Sequence, residues 1–394
     1  MKLIDMNQQV YKKRTPNKKK IFITLEIFLF VIILIVLFSF YLTNRNFRVW
    51  MDQYIFRKNI SSENLPSIAI SSDSSGHIFA YQDYVAILNQ TNLTTYQSSG
   101  KKAFEMELSV NNPIYDIKDR FLCIAEQNGQ KLYLISGQNI LWQTDVEGQI
   151  AKVSVNKNGY VSVVLSGTSY KSLVLTFAPD GTELFRTILS HTIAIDISMS
   201  ENNKYLAIAE IDTSKSQIQS NIKIISFEKA ASDPSNAVTY MYPANAGEII
   251  SKIEYHDKER LICLYDTSIH IIYDNTDTKL MDIDNKKDLF CNIDLQNNIT
   301  KVTEKSSGLF SDIEVNITDI HSQKENIYLL ESIPKTVVVN KDVIALNLGT
   351  EVHFIDSNGW LKKKYSSSQE IKDIVVGSNI AGIIYKDKIE LIHL

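Results

Sequence analysis

The segments YVSVVL (160–165) and LVLTFAPDGTELFRTIL (173–189) contain the pattern that decides the fold. The first is a short apolar strand. The second consists of an apolar strand, an Asp180-Gly181 turn and a further strand. Asp-Gly is a dipeptide that permits the positive φ values of tight hairpins. This stretch therefore predicts three consecutive antiparallel strands.

Strands similar to YVSVVL occur eight times, and their starting positions are 37 to 56 residues apart. They are YVAILN (84–89), FLCIAE (121–126), YVSVVL (160–165), YLAIAE (205–210), LICLYD (261–266), ITKVTE (299–304), VIALNL (343–348) and IAGIIY (380–385). Repetition at a fixed spacing of 20–50 residues is typical of repeat folds, propellers among them. We therefore treat the chain beyond residue 60 as one repeating unit.

Each recurrent strand lies between further strands. An apolar strand precedes most of them, as in IYDIK (114–118) and IAKVSV (150–155). A strand–turn–strand unit follows, as in EVHFIDSNGWLKKKY (351–365). Four strands at a period of about 40 residues match a propeller blade. The pattern predicts an all-β chain, a β-propeller over residues 65–394 with eight four-stranded blades, or seven as the alternative. A β-sandwich or β-helix is disfavoured.

The last repeat ends at Leu394 after its third strand, KIELIHL (388–394), so its blade lacks an outermost strand. The segment LPSIAIS (65–71), just before the first complete blade, is apolar and otherwise unassigned. We expect it to complete the last blade, because such closure removes the open edge of the array.

Residues 21–40, IFITLEIFLFVIILIVLFSF, form one long apolar run. Twenty residues of helix span about 30 Å, the thickness of a bilayer's hydrocarbon core. We therefore predict a basic cytoplasmic tail (1–20), a transmembrane helix (21–43), a juxtamembrane stalk (44–64) and an extracytoplasmic propeller. Glu26 lies within the span near its start, where it is expected to reach the interface or to pair with a partner helix.

The charges indicate the orientation. Residues 1–60 contain eleven Lys and Arg against three Asp and Glu, and the rest of the chain contains thirty against forty-two. Most of the positive charge precedes the span, which places the N-terminus in the cytoplasm. A cleaved signal peptide is the alternative, but the apolar run is longer than usual and no A-x-A-like site follows it. The acidic body excludes a nucleic-acid partner.

The stretch NRNFRVWMDQYIFRKNI (44–60) places Phe47, Trp50, Met51, Tyr54 and Ile55 at helical spacing. This pattern predicts an amphipathic helix that lies on the outer membrane surface or continues the span as a stalk. A helix that binds a partner is the alternative.

The body resembles WD- and quinoprotein-type propellers in its blade pattern. It has no Trp-Asp dipeptide and only Trp142 and Trp360 as tryptophans. Together with its Lys-, Asn- and Ile-rich composition, the chain resembles an uncharacterised family of single-span, membrane-anchored β-propeller proteins of clostridial Gram-positive bacteria. That resemblance implies an architecture and no activity.

The sequence offers no catalytic, cofactor-binding or metal-binding residues. Its seven histidines show no metal-ligand spacing, and it has no G-x-S-x-G, P-loop or G-x-G-x-x-G motif. Cys123, Cys263 and Cys291 are expected to be free thiols, buried by default. The acid-rich stretch 274–288 departs from a calcium loop at Lys286 and is expected to be a solvated loop. Residues 212–245 form the longest insertion, with two expected polar loops at 212–220 and 229–237.

These observations favour a non-catalytic protein-interaction or scaffold module of the cell envelope, held in the membrane by one span. The alternative is a ligand-sensing receptor that binds a small molecule or glycan in the propeller channel. An exported quinoprotein- or lyase-like enzyme is less favoured, because a fold alone is not evidence of function. Charged groups that converge on the channel would favour the receptor, and an exposed apolar patch would favour a protein partner.

Overall fold

A computed structural model of the chain describes residues 18–44, 47, 51, 55–56, 58–61, 65–70, 76–214, 217–307 and 310–394. The chain divides into two compact units, Met1–Asn59 and Ile60–Leu394. Residues 1–17 of the expected cytoplasmic tail lie outside the described residues.

Helix α1 (Lys18–Thr43) dominates the first unit. It includes the expected span 21–43 and begins three residues earlier, because Lys18–Lys20 are good helix formers. Its segment Leu25–Thr43 is long and apolar enough to cross a membrane. Much of the expected stalk 44–64, including Trp50 and Tyr54, lies outside the described residues.

The second unit consists of eight antiparallel sheets. Seven of them have four strands, and one has a fifth strand at its outer edge. The all-β propeller of eight four-stranded blades is therefore confirmed, and the seven-blade alternative is wrong. Within each blade, the strands are arranged in chain order from the channel outward to the rim, except that the outermost strands of the last two blades come from the beginning of the unit.

The first four blades use consecutive strands. Blade 1 contains β3 (His77–Tyr81), β4 (Tyr84–Leu88), β5 (Asn92–Tyr96) and β6 (Lys102–Glu107); blade 2 contains β7 (Pro113–Lys118), β8 (Phe121–Glu126), β9 (Lys131–Ser136) and β10 (Asn139–Asp145); blade 3 contains β11 (Gln149–Val155), β12 (Val161–Ser166), β13 (Ser172–Phe177) and β14 (Glu183–Leu189); blade 4 contains β15 (Thr192–Met199), β16 (Tyr205–Asp212), β17 (Gln219–Ser226) and β18 (Val238–Pro243).

The last four blades include two strands from the beginning of the unit. Blade 5 contains β19 (Ile250–Tyr255), β20 (Leu261–Tyr265), β21 (Ser268–Tyr273) and β22 (Thr276–Asp282); blade 6 contains β23 (Asp288–Asn292), β24 (Asn298–Ser307), β25 (Phe310–Asp319) and β26 (Glu325–Leu330); blade 7 contains β27 (Thr336–Asn340), β28 (Val343–Asn347), β29 (Glu351–Asp356), β30 (Leu361–Ser366) and β1 (Asn59–Ser61); blade 8 contains β31 (Asp373–Val376), β32 (Ile380–Ile384), β33 (Lys388–His393) and β2 (Ser67–Ala69).

The expected closure by 65–71 is present in this topology. Strand β2 pairs with β33, with Ile68 opposite Ile389, and forms the outermost strand of blade 8. Ile68 packs with Ile389 and Leu391 in an apolar cluster that also includes Val85 of blade 1. Strand β1 adds a fifth strand at the outer edge of blade 7.

The recurrent strands are the second strands of the blades, and they are apolar because neighbouring blades cover both of their faces. In β8, for example, Leu122, Cys123 and Ile124 are completely buried. Cys123 lies in a cluster with Val163 and Leu175 of blade 3. The core is thus a ring of apolar layers between blades.

Outer strands dock on turns of the following blade. The indole Nε1–H of Trp142 in β10 donates to the Pro179 carbonyl at 3.1 Å. Gly181 in the same turn adopts φ +86°, and a Cβ there would lie 2.9 Å from Trp142 Cγ. Glycine at this position therefore provides both the turn conformation and the space for the indole ring.

The insertion 212–245 corrects one expectation. Its second expected loop, 229–237, contains the end of helix α2 (Phe227–Ser232) and a short 3-10 helix (Pro234–Asn236). The hydroxyl of Ser226 caps α2 by accepting from the Lys229 N–H at 3.4 Å, and Ala230 packs into the core. An N-cap serine before this short segment was the available signal.

Candidate functional site

Seven of the inner strands, together with Asp294 and Gln296 after the inner strand of blade 6, surround a central cavity of about 740 Å³. It extends from the middle of these strands to the turns that join the first and second strands of the blades. We call the face of the propeller that bears these turns the turn face. Pockets of this volume are typical of small-molecule sites, so the charges inside the cavity determine what it can bind.

All five lysines that line the cavity form ion pairs with carboxylates that also line it. The pairs are Lys118–Glu254, Lys152–Asp196, Lys157–Glu201, Lys252–Asp294 and Lys341–Asp119. Each positive charge in the cavity lining is therefore neutralised from within the chain. An anionic ligand would have to displace one of these pairs.

Two of these ion pairs cross the channel. Lys118 of blade 2 reaches Glu254 of blade 5, and Lys341 of blade 7 reaches Asp119 of blade 2 at 3.0 Å between Nζ and Oδ1. The blades in each pair are three positions apart around the ring. These contacts therefore connect opposite parts of the propeller, with blade 2 common to both.

Carboxylates on inner strands also accept backbone hydrogen bonds from the next blade. Asp116 accepts from the Val155 N–H at 2.7 Å, and Asp196 accepts from the Ile253 N–H at 2.8 Å. Burial, with the charge of Glu254, raises the pKa of Asp116 to about 6. Asp116 thus joins blades 2 and 3 and carries a carboxyl group that titrates near neutral pH.

Near the turn face, hydrogen bonds connect every pair of adjacent blades. From the blade 1–2 junction onward, the bonded pairs are Tyr81–Arg120, Asp116–Val155, Asn158–Glu201, Ser198–Tyr255, His256–Ile293, Gln296–Lys341, Asn340–Val376 and Asn379–Asp83. This closed ring of polar contacts supplements the apolar layers between the blades.

Two carboxylates of the lining, Asp116 and Asp373, have no lysine partner among the described residues. Asp373 is exposed and accepts only the Ile374 N–H at 2.8 Å among its described hydrogen bonds. Tyr115, which also lines the cavity, stacks on Phe79 with ring centroids 4.1 Å apart. Tyr115 and Asp373 belong to blades 2 and 8, on either side of blade 1.

The outer strands present a different surface. In β18, Val238, Tyr240 and Met241 are 43, 40 and 51 % exposed. Strand β18 ends its sheet, so no described strand pairs with its outer edge. Of the described outermost strands with six or more residues, β18 alone contains no charged side chain.

The chemistry-bearing residues noted in the sequence lie apart from one another. Cys123, Cys263 and Cys291 are free thiols; Cys123 and Cys263 are buried as expected, whereas Cys291 is only half-buried. Burial raises the pKa of each thiol, to about 11 for Cys291.

The acid-rich stretch 274–288 is not the expected solvated loop, because Thr276–Asp282 forms strand β22 at the rim of blade 5. His270 Nδ1 lies 2.9 Å from Asp277 Oδ1 in this strand. Within the described ranges, no group of three His, Cys, Asp or Glu could hold a metal ion. The lack of catalytic, cofactor-binding and metal residues stays a prediction.

The charged lining of the channel does not follow from any motif in the sequence. The signal was present as single charges within apolar strands, Asp116 in IYDIK, Lys152 in IAKVSV and Asp196 in IAIDIS. A charge inside an otherwise buried strand requires a partner. In a propeller that partner lies on another blade, far away along the chain.

The similarity to solved structures shows the fold alone. The Chaetomium thermophilum Sqt1 structure, bound to the N-terminus of ribosomal protein L10, matches with TM-score 0.51 and 10 % identity over 84 % of this chain and 100 % of that one. BamB from Moraxella catarrhalis matches with TM-score 0.49 and 11 % identity over 82 and 95 % of the two chains. Kuenenia stuttgartiensis hydrazine synthase matches with TM-score 0.44 and 10 % identity over 82 and 97 %.

At the level of sequence, no curated protein matches the chain. The model of one family, described as "Family of unknown function (DUF5711)", matches residues 56–394, which include the whole propeller. The chain therefore belongs to the DUF5711 family.

Proposed function

We propose that this protein is a non-catalytic, membrane-anchored interaction module of the cell envelope, with β18 as its docking edge. Helix α1 is the anchor, the N-terminus lies in the cytoplasm and the propeller is extracytoplasmic. The excess of Lys and Arg before α1 supports this orientation. The acidic body supports a protein partner over a nucleic acid.

The observation that carries the proposal is the uncharged, open edge of β18. Exposed sheet edges template the addition of another strand, and proteins usually protect them with charges, bulges or short length. The outer strands β6, β14 and β22 carry charges, such as Lys102, Arg186 and Lys279. Strand β18 shifts register between Val238 and Tyr240 and ends at Pro243, and it presents Val238, Tyr240 and Met241 without a charged side chain.

We assign the edge to one occupant, an extended and uncharged segment of a partner protein that pairs with β18. Blade 7 illustrates this geometry, because β1 adds as a fifth strand to β30. An edge of six residues is about 20 Å long. A second propeller docked there would bury far less than the ~800 Å² per partner of a stable dimer. A flexible segment needs only the edge and its side-chain contacts.

The structural neighbour Sqt1, bound to the N-terminus of ribosomal protein L10, illustrates that a propeller can bind the N-terminus of another protein. Its identity to this chain is only 10 %. The binding residues must therefore be argued from this chain alone, which is why the proposal rests on β18.

Photo-crosslinking in the native envelope tests the docking edge. In the full-length chain, p-benzoylphenylalanine replaces Tyr240, or Leu141 of β10 as a matched exposed control. We expect one adduct from position 240, mapped by mass spectrometry to an extended, uncharged segment of one protein. Met241→Lys should reduce its yield at least tenfold by placing a charge on the edge, and Met241→Leu should retain it.

Three outcomes would overturn the docking edge. They are an adduct of the chain with its own copy, an equal adduct from position 141, and no adduct from position 240. The topology has a separate test. Protease added outside intact cells should degrade the propeller and leave an N-terminal tag intact, and the reverse pattern would contradict the orientation.

A further inference from the structure

We propose that the corner of the channel formed by Tyr115 and Asp373 binds an organic cation, an ammonium or guanidinium group. This site lies in the channel, whereas the proposed docking edge lies at the rim. It is a second binding activity that does not depend on the first.

The first argument is the charge inside the cavity. Seven carboxylates and five lysines line it, and every lysine forms an ion pair with one of the carboxylates. Both remaining carboxylates lie in the lining. A cleft with surplus negative charge attracts cations, because its low-dielectric walls focus the field.

The second argument distinguishes these two carboxylates. Asp116 accepts two backbone N–H groups, from Ile117 at 2.9 Å and from Val155 at 2.7 Å, so its oxygens are engaged between blades. Asp373 is exposed and accepts one, from Ile374. A carboxylate with two oxygens has about four acceptor positions, and Asp373 therefore has capacity for an external donor.

The third argument is the aromatic wall beside Asp373. Tyr115 is 36 % exposed, and its ring stacks on Phe79 at 28° between the ring planes. With one face covered by Phe79, the free part of the ring remains available to the cavity. Strand β31, which carries Asp373, packs against β3, which carries Phe79, so Asp373 and Tyr115 flank the same inner strand. Burial raises the pKa of the Tyr115 hydroxyl, and the charge of Asp373 raises it further.

Together these groups select the class of ligand. A carboxylate and the face of an aromatic ring that line the same cavity are the combination that recognises ammonium and guanidinium groups. A hard divalent cation needs about six oxygen ligands, and only one free carboxylate is available here. Anions are disfavoured because no lysine of the described lining lacks a partner. The cation could belong to a free amine or to a side chain of a peptide.

Isothermal titration calorimetry on the full-length chain in a maltoside detergent tests the site. Choline and putrescine are the free-amine probes, and the tripeptide Gly-Lys-Gly is the peptide probe. We expect saturable binding of at least one probe below 1 mM, with acetate giving no binding. If the free amines bind tighter, the ligand is a small amine, and if the tripeptide binds tighter, it is a peptide side chain.

Variants connect the binding to the two groups. Asp373→Asn should weaken binding of the best probe at least tenfold, and Tyr115→Leu should weaken it at least threefold. Tyr115→Phe should retain binding because the ring persists. Asp387→Asn, on a turn of the same blade, is the matched control and should bind as the wild type does. No saturable binding of any probe up to 10 mM, or equal binding by Asp373→Asn and the wild type, would overturn the proposal.

Discussion

The inner and outer strands of this propeller use charge in opposite ways. Along the channel, Lys118 and Lys341 reach across to blades three positions away. At the rim of blade 4, the edge of β18 has no charged side chain and exposes Tyr240 and Met241. Paired charge in the channel connects blades that are not neighbours, whereas the edge that we propose as the docking site carries no charge. Charged residues are therefore poor indicators of function where their partners lie within the same chain.

Loss of ring closure has the largest expected effect on stability, because both the channel and the rim depend on the closed ring. Deleting residues 61–75 from the full-length chain removes β2 and leaves the outer edge of β33 unpaired. We expect a loss of well over 3 kcal/mol, since burial of Ile68 alone is worth about 2–5 kcal/mol by truncation to alanine. Thermal melting followed by circular dichroism measures the loss. Melting of the deletion variant at the wild-type temperature would contradict the closure.

Ionisation of the Asp116 carboxyl group has the next largest expected effect on the free energy of unfolding. This effect makes the stability depend on pH. Its pKa in the folded state, about 6, lies above the ordinary 3.8. The group therefore stabilises the fold most below about pH 4, and this contribution is lost as the pH rises through 6. The change is up to about 3 kcal/mol. Asp116→Asn should remove this slope in urea unfolding series between pH 4 and 7.

His353 serves as a control, because the pH dependence of its contribution to stability is opposite to that of Asp116. Burial and the nearby charge of Lys364 lower its pKa to about 4. Its contribution to stability is therefore present above about pH 6.5 and is lost as the pH falls towards 4. His353→Gln should remove that fall and leave the Asp116 slope unchanged. An unchanged pH profile in Asp116→Asn would show that Asp116 is not the titrating group.

The channel-crossing pair Lys118–Glu254 has a smaller expected effect. Lys118→Met leaves Glu254 without its cation beside Asp116. Fully buried pairs lose about 3–5 kcal/mol when one partner is removed, and these two side chains are 36 and 24 % exposed. We expect a loss of about 2 kcal/mol in urea unfolding, largely recovered when Glu254→Gln is added. Equal losses in the single and double variants would show that the two residues are not coupled.

The sequence predicts the architecture well, because strand patterns are local. The eight recurrent strands and the closing segment 65–71 follow from apolar runs and turn dipeptides. The cavity does not follow, since Lys341 and Asp119 are 222 residues apart along the chain. Strand β18 lies in the insertion 212–245, just after its second expected loop, 229–237. The free edge is visible only once the blade order is known.

The most direct test of the central claim measures stability and crosslinking together in two variants, each with the photo-crosslinker at position 240. The account predicts that Lys118→Met lowers the melting temperature and retains the adduct of the folded protein. Met241→Lys, at a half-exposed position, should keep the melting temperature within the range expected for a change of about 0.5 kcal/mol and lose the adduct. The reverse pattern, an adduct that depends on Lys118 and not on Met241, would contradict the account.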